Sequence, residues 1–441
     1  MKRISTSILY SALCISLYGQ KAWTADDCMQ YAAEHNHEVR LEQIALDDYK
    51  SNKKSAIGAF LPSVSASISG TYNFGRAIDP ETNTYTNVGT FNNGYSISTS
   101  IPVFDGWQRY NNVRLAKVSV LLGRQNILAQ KDNVCQQVFQ AFIDVLYYKG
   151  AVAMAEDKRE ESMMLLKQTK VMEEIGTKGE ADVAQMQANF AADDYEVTRQ
   201  KGLLENALLA LKQQMNFPTD EELFIANDVI IPNTHIVLEQ DILTLVETGS
   251  ELPLIKQARY NLQSAEYSYR ASKGALLPSL SLGAGMSTAY NKQLGNADTR
   301  SFREQFRNNT GRNVYASISI PIFNRLSTLT SIRRARNNVA RAKENLDHQQ
   351  DELRRLIQGT IIEKENYRKE TEKMTKKVES DSIASRLTIR KYEEGLASPI
   401  EVKTAGVTLL QSKAQRLQCQ LMYAYKSRIL EYYKGIPLWT E

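Results

Sequence analysis

At 441 residues the chain has room for two or three ordinary domains, and 24% charged residues, 42% hydrophobic residues and a net charge of +4 exclude a disordered tail and the basic excess of a nucleic-acid-binding protein. Its cysteines, Cys14, Cys28, Cys135 and Cys419, are spaced too widely for a zinc motif or a disulfide framework, so the last three read as packing residues.

The first stretch, MKRISTSILYSALCISLYGQ, has a basic start at Lys2 and Arg3, an apolar run from about Ile8 to Leu17, and then small or polar residues. That is the order of a secretory signal, predicted over 1–19 with cleavage near Gly19, so the mature protein is expected to leave the cytoplasm. Leu13 is a poor neighbour for lipid attachment at Cys14. No later stretch reaches the roughly 18 to 20 apolar residues of a membrane helix, so any passage into a membrane must be by strands.

A helix is expected over about 25–57, opening near Asp26 and Asp27 and closing before the block GAFLPSVSASIS. Strands follow at about 62–75 and 94–103, joined by a long polar loop. From about 107 to 175 there is no proline, and strong helix formers dominate. Roughly 70 residues of helix at 1.5 Å each would reach about 100 Å, a coiled-coil length. The turn GTKGEADV leads to a helix at about 183–216, and a polar linker is predicted at 221–239.

The plan then recurs. GALLPSLSLGAG answers GAFLPSVSASIS and puts Pro278 in the place of Pro62, an offset of 216. ASISIPIFNR answers SISTSIPVFDG and puts Pro321 in the place of Pro102, an offset of 219. Gly176 of GTKGEADV and Gly395 of GLASPIEV share that second offset, as do Pro218 and Pro437. The chain is therefore read as a tandem duplication of 23–220 and 240–438, each half running helix, strand, strand, long helix, turn, helix. The second half's strands are placed at about 278–289 and 313–322, and its long helix at about 326–394. In that helix Val339, Leu346 and Leu353 recur in heptad spacing, as along a coiled-coil seam.

The strands share one pattern. In SVSASISGTYNFG, Val64, Ala66, Ile68, Tyr72 and Phe74 alternate with Ser63, Ser65, Ser67, Ser69, Thr71 and Asn73. Ser96 and Ser98, Ser279 and Ser281, and Ser317 and Ser319 alternate with apolar residues in the other three. Such alternation marks a two-faced sheet, and a tilted strand of about 9 to 11 residues crosses a bilayer core. A soluble sheet with one face on a core alternates too, but its wet face carries Lys and Glu rather than Ser. Coiled-coil helices also offer no second apolar layer. Four strands cannot close a barrel, and an open edge in lipid leaves backbone groups unpaired, so the chain must oligomerise. A dimer's eight strands enclose a filled interior, whereas a trimer's twelve leave a lumen that small serines suit. The fold class expected is a mixed α and β membrane protein: a homotrimeric 12-stranded transmembrane β-barrel, four strands per chain, with long α-helical coiled coils beyond it. Ser63, Ser65, Ser67, Ser96, Ser98, Ser279, Ser281, Ser317 and Ser319 are expected to face the pore.

With its signal, internal repeat, LPS-strand-IPVFDG block and a Gly-x-x-x-x-x-[Asp/Glu]-Val turn in each half, the chain resembles the TolC family of outer-membrane efflux proteins. The resemblance implies a homotrimer in the outer membrane of a Gram-negative bacterium, with a large periplasmic portion in which the β-barrel is continued by a long α-helical coiled-coil barrel. It implies an exit duct for a tripartite efflux or type I secretion system, passively exporting drugs, toxins or proteins. The partners implied are a periplasmic adaptor (membrane fusion) protein, an inner-membrane transporter of the RND or ABC type and outer-membrane lipid. No catalysis, cofactor, metal or nucleic acid is implied. The turns at Gly176 and Gly395 would be the inner tips of helical hairpins, closed by a link matched here by Tyr392 and Asp182 and narrowed by an acidic ring matched by Glu401. A second link of the family's better-known member falls on Ala397 and Ala181, and a second acidic position on Thr404, so both are absent here.

Other motifs carry less. His35 and His37 lack a carboxylate cluster, Ser51 and Lys54 match S-x-x-K without its companion motifs, and the glycines of GAGMSTAY lie in a strand rather than before a helix. The rival function is a periplasmic coiled-coil adaptor or structural protein without a pore, which would carry a lipoyl-like β domain and one hairpin.

Overall fold

The computed structural model describes residues 22–78, 83–87, 89–226, 245–294 and 300–439. The signal predicted at 1–19, most of the linker and the first residues of the second half lie outside the described residues. Helices α1 (Ala25–His35) and α2 (His37–Gly58) precede β1 (Ser63–Asn73), a small hairpin of β2 (Arg76–Ile78) and β3 (Tyr85–Asn87), β4 (Thr90–Phe104), α3 (Gln108–Glu174) and α4 (Glu180–Met215). Then come α5 (Pro253–Gly274), β5 (Ser279–Gln293), α6 (Phe302–Asn308), β6 (Gly311–Ser319), α7 (Ser327–Glu393) and α8 (Pro399–Tyr433). These elements fall into two compact units, one drawn from Met1–Arg40, Gln130–Gly249 and Arg354–Glu441, the other from Leu41–Ala129 and Ser250–Leu353.

In the first unit the helix expected at 25–57 is broken. Asn36 leaves the helical region (φ −64, ψ 137), and its side chain donates to Gln214 O at 2.9 Å. Asn216, left-handed at φ 57, returns a bond from its own amide to His35 O at 3.0 Å. This reciprocal pair, distant in sequence, outweighs the local propensity for one helix. His35 stacks on Tyr31 at 4.1 Å between ring centroids, and its Nδ1 lies 3.0 Å from Tyr31 O, so the ring has a packing role. Met29, Phe142, Met215, Leu430 and Leu438 are among the fully buried side chains of this unit. By length and composition α3 passes for a membrane helix, but Val134, Val138, Phe139, Phe142 and Ile143 within it are buried in the protein. Burial pushes the Cys28 and Cys135 thiols up to about 12, and Cys135 Sγ donates to Met29 O at 3.5 Å. Buried Asp132 accepts from Tyr432 Oη at 2.8 Å and Trp439 Nε1 at 3.0 Å, tying the last described residues to α3. Burial raises that carboxyl above its ordinary range, and the two donors partly offset the effect.

The second unit holds an antiparallel four-stranded sheet in the order β1-β4-β5-β6. β1 pairs Ser65 with Ser98 of β4, and β5 pairs Ser281 with Ser317 of β6. The two offsets of the internal repeat carry one pair onto the other. β4 starts at Thr90 and β5 runs to Gln293, both longer than expected, because they pair with each other along that length. The strand expected at 313–322 stops at Ser319: β5 begins at Ser279, which pairs Ser319, and Pro321 has no N–H to donate. The hairpin β2–β3 and helix α6 occupy loops that the sequence marked only as long and polar.

α5 and the start of α3 meet backbone to backbone. A Cβ on Gly274 would sit 2.3 Å from Gly106 O, and one on Gly106 would sit 2.2 Å from Gly274 O. Gly106 also has φ +68, but Arg325, its equivalent in the second half, adopts φ 56 with a side chain, so the close approach is what demands glycine. Gly274→Ala is expected to cost about 2 kcal/mol through overpacking. Denaturant melting of the detergent-solubilised protein should show the loss, and a variant as stable as wild type would mean that the two backbones do not touch.

Candidate functional site

Two features of the chain have functional geometry: the faces of the sheet in the second unit and the helical tips in the first. In the sheet, the nine serines singled out from the sequence share one face. Their rows run across all four strands: Ser67, Ser96, Ser287 and Gly311; Ser65, Ser98, Gly285 and Asn313; Ser63, Ser100, Gly283 and Tyr315; with Ser281 opposite Ser317 and Ser279 opposite Ser319. Ser65 and Ser98 hydroxyls lie 3.0 Å apart. The Tyr315 ring lies over Gly283, where a Cβ would stand 2.3 Å from its Cζ, so the glycine makes room for the one large side chain of this face. The alternation of β6 sets Tyr315 with Ser317 and Ser319 against Val314, Ala316 and Ile318, and the pairing with β5 agrees.

The other face is mainly apolar: Ala66, Ile97 and Met286 form one row that Arg312 ends at the β6 edge, Val64, Thr99, Ala284 and Val314 form another, and Leu280 meets Ile318. Its side chains are uncovered, with Val64 73%, Ile68 74% and Val314 86% exposed. Aromatic residues bound it at both ends. Tyr72, Phe91 and Tyr290 stand at the loop end; Phe104, Trp107, Tyr110 and Phe323 stand where helices join. An exposed apolar band between two aromatic girdles suits lipid, since water would penalise its exposure and lipid would not.

In the first unit, the two turns are built alike. At the end of α3, Gly176 (φ +77) donates to Glu173 O and Thr177 N to Met172 O. At the end of α7, Gly395 (φ +76) donates to Tyr392 O and Leu396 N to Lys391 O. Both are Schellman stops, which need a left-handed residue and so favour glycine. Each is followed by a helix start closed by an acid three residues in: Gly179 N donates to Asp182 Oδ2 at 3.3 Å, and Ser398 N to Glu401 Oε2 at 2.7 Å. The backbone N–H and hydroxyl of Ser398 hold the Glu401 carboxyl below its ordinary range.

Tyr392 is fully buried beside these turns. Its hydroxyl is 2.8 Å from Thr169 Oγ1, and Thr169 already donates to Leu165 O at 2.7 Å, so the tyrosine is the donor. Lys178 Nζ sits 4.2 Å from the ring centroid on its face. Burial raises the phenol's pKa, and the nearby charge of Asp182 adds to it. Asp182 is thus within electrostatic reach of Tyr392 while its carboxylate is bonded to the backbone of its own turn. Leu165 of α3, Met186 of α4, Tyr392 of α7 and Val402 of α8 form one small core, against which Ala397 also packs. Thr169, Met186 and Lys178 had no sequence signal, because each owes its role to a contact between distant helices.

A family model described as outer membrane efflux protein matches residues 28–216 and 246–431. The chain belongs to the outer membrane efflux protein family. The outer membrane efflux protein BepC of Brucella suis is 22% identical over 357 residues, 80% of this chain and 72% of that protein. The fold is similar to that of CusC (TM-score 0.77, 16% identity, 95% of both chains). It is also similar to that of VceC from Vibrio cholerae (TM-score 0.76, 13% identity, 94% of this chain and 96% of that one). This outer membrane efflux protein is accordingly an efflux channel of the outer membrane. In it, Thr169→Val and Tyr392→Phe should each cost about 1 kcal/mol, and the double variant less than the sum, because one hydrogen bond is lost in all three. Additive losses in a double-mutant cycle would mean that the two hydroxyls do not share a proton.

Proposed function

We propose that this outer membrane efflux protein works as a homotrimer whose three sheets close into a 12-stranded barrel, with the helices of each copy contributing to a periplasmic duct. The carrying observation is the sheet itself. It has a mostly small polar face, an apolar face left exposed away from α6 and set between aromatic girdles, and two edges, β1 and β6, without a partner strand among the described residues. In lipid an unpaired edge costs several kcal/mol per backbone group, so β6 of one copy meets β1 of the next. The junction of α5 with α3 supports this arrangement. Gly274 is covered by Gly106, whereas Gly58, its counterpart in the first half, has nothing within 4 Å and is left open for a neighbour.

The duct carries out no chemistry and exports passively what an inner-membrane transporter of the RND or ABC type delivers through a periplasmic adaptor. The tips at Gly176 and Gly395 are its inner end, with Asp182, Tyr392 and Glu401 as the gate. Glu401 stays ionised below the usual carboxylate range, so three copies place a ring of negative charge there that favours cations. Opening is a shear of α7 and α8 past α3 and α4, resisted by the small four-helix core and by the Thr169–Tyr392 bond.

The protein is expected in outer-membrane fractions as a heat-modifiable, detergent-requiring trimer that forms ion-conducting pores in planar bilayers. Tyr392→Phe combined with Asp182→Ala should raise single-channel conductance. A soluble monomer would overturn the duct in favour of a coiled-coil adaptor, and an unchanged conductance would remove these residues from the gate.

A further inference from the structure

The loop end of the sheet carries a feature that efflux does not use. β5 outruns β6: Ser287 is the last β5 residue paired with it, and Ala289 to Gln293 continue without β6 beside them. Helix α6 covers this overhang. Gln305, only 3% exposed, accepts from Asn291 N at 3.0 Å and donates to Asn291 O at 2.9 Å. Asn309 Nδ2 donates to Ala289 O at 2.8 Å, and Thr288 Oγ1 to Phe306 O at 2.7 Å. Two amide side chains therefore stand in for a missing strand and hold the helix in one place.

The held helix lies on the apolar face. Phe306 meets Tyr95 at 5.3 Å and Phe302 meets Tyr290 at 5.4 Å between ring centroids. About ten strand residues cross a bilayer core, and ten residues counted from Ser279 end at Thr288, so α6 sits at the outer boundary of the hydrocarbon. Around it Arg303 and Arg307, one helical turn apart, Arg312 in the row of Met286, and Lys292 are all exposed. None of the four is in an ion pair among the described residues, and Glu304 is the one acid described between Lys292 and Arg312.

We infer that α6 and its basic side chains form a binding site for the phosphorylated headgroup of an outer-leaflet lipid, whose acyl chains lie on the apolar face below. Charge complementarity carries the assignment. Two guanidinium forks a turn apart match phosphate oxygens, an aromatic bed sets their height at the interface, and uncovered Met286, Ile97 and Ile68 continue as a surface for chains. The inference rests on the membrane-barrel reading of the sheet, and its test separates the two.

Full-length protein in non-ionic detergent, first checked for conductance in planar bilayers, is titrated with diphosphoryl lipid A and the bound lipid counted by native mass spectrometry. Wild type should retain it. Arg303→Glu with Arg307→Glu, both exposed and outside the sheet, should conduct normally and bind at least about tenfold more weakly, as the loss of two charge-assisted bonds requires. Arg303→Lys with Arg307→Lys, which keeps the charge and loses the forks, should bind more weakly than wild type and more tightly than the Glu variant, fully dephosphorylated lipid A should bind wild type as weakly as the Glu variant, and excess inorganic phosphate should not displace the lipid. Equal binding by wild type and the Glu variant, or none by a conducting wild type, would overturn the site. Displacement by inorganic phosphate would make it a small-anion site and overturn the lipid. A wild type that neither conducts nor forms trimers would instead overturn the barrel.

Discussion

Everything in the second unit follows from one constraint: in hydrocarbon, each backbone N–H and C=O must find a partner within protein. A sheet of four strands satisfies this at its three internal seams and at neither edge. The remedies differ with depth. In the part of the sheet that would lie in lipid, the edges are left bare and straight for another copy of the same sheet. Above it, where β6 of the same chain no longer runs alongside β5, Gln305 and Asn309 supply the bonds from side chains. The serine and glycine rows fit the proposed closure as well, since small side chains on an inner face would leave twelve strands a lumen rather than a plug.

The tips follow a different logic. Their turns are stiff: each joins a Schellman stop to an acid-closed helix start, so nearly every backbone group at the reversal is satisfied locally. Near the tips one hairpin is held to the other by a core of four buried side chains, one hydroxyl pair, the Lys178 ammonium on the Tyr392 ring and a bond from Gln168 to Glu393. Each side chain of that core contributes about 1.5–3 kcal/mol. Stiff hairpins joined by few contacts can slide as bodies, as the proposed gate would require, whereas Trp439 and Tyr432 are both tied to buried Asp132 elsewhere in the same unit.

Much of this was legible in the sequence because it is periodic or local. Alternating serines gave the two faces, and paired prolines gave the offsets that bring Ser65 and Ser98 into the register of Ser281 and Ser317. Gly176 and Gly395 marked the two turns, which the structure builds as left-handed stops. What escaped depends on pairs far apart in the chain. The break at Asn36 is made by Asn216, the proton of Tyr392 goes to Thr169, and α6 forms where Phe302 and Phe306 find Tyr290 and Tyr95. Nor did the acids at the tips show their local duty. Asp182 and Glu401 read as a latch and a ring, yet each also closes the helix that carries it.

The central claim is that β6 of one copy pairs with β1 of the next, and the register within the chain fixes where. The intrachain seam sets Ser98 opposite Gly285. The internal repeat carries Ser98 forward onto Ser317 and Gly285 back onto Ser69, which sets Ser317 opposite Ser69 of the partner subunit. Directly opposed residues in an antiparallel pair have Cα atoms about 4.5–5.5 Å apart, within reach of a disulfide. Protein carrying Ser317→Cys with Ser69→Cys should, after mild oxidation in the membrane, run as a covalent trimer on a denaturing gel without reductant, while Ser317→Cys with Ser65→Cys stays monomeric. A monomer from the in-register pair, or equal linking by both pairs, would contradict the closed trimeric barrel.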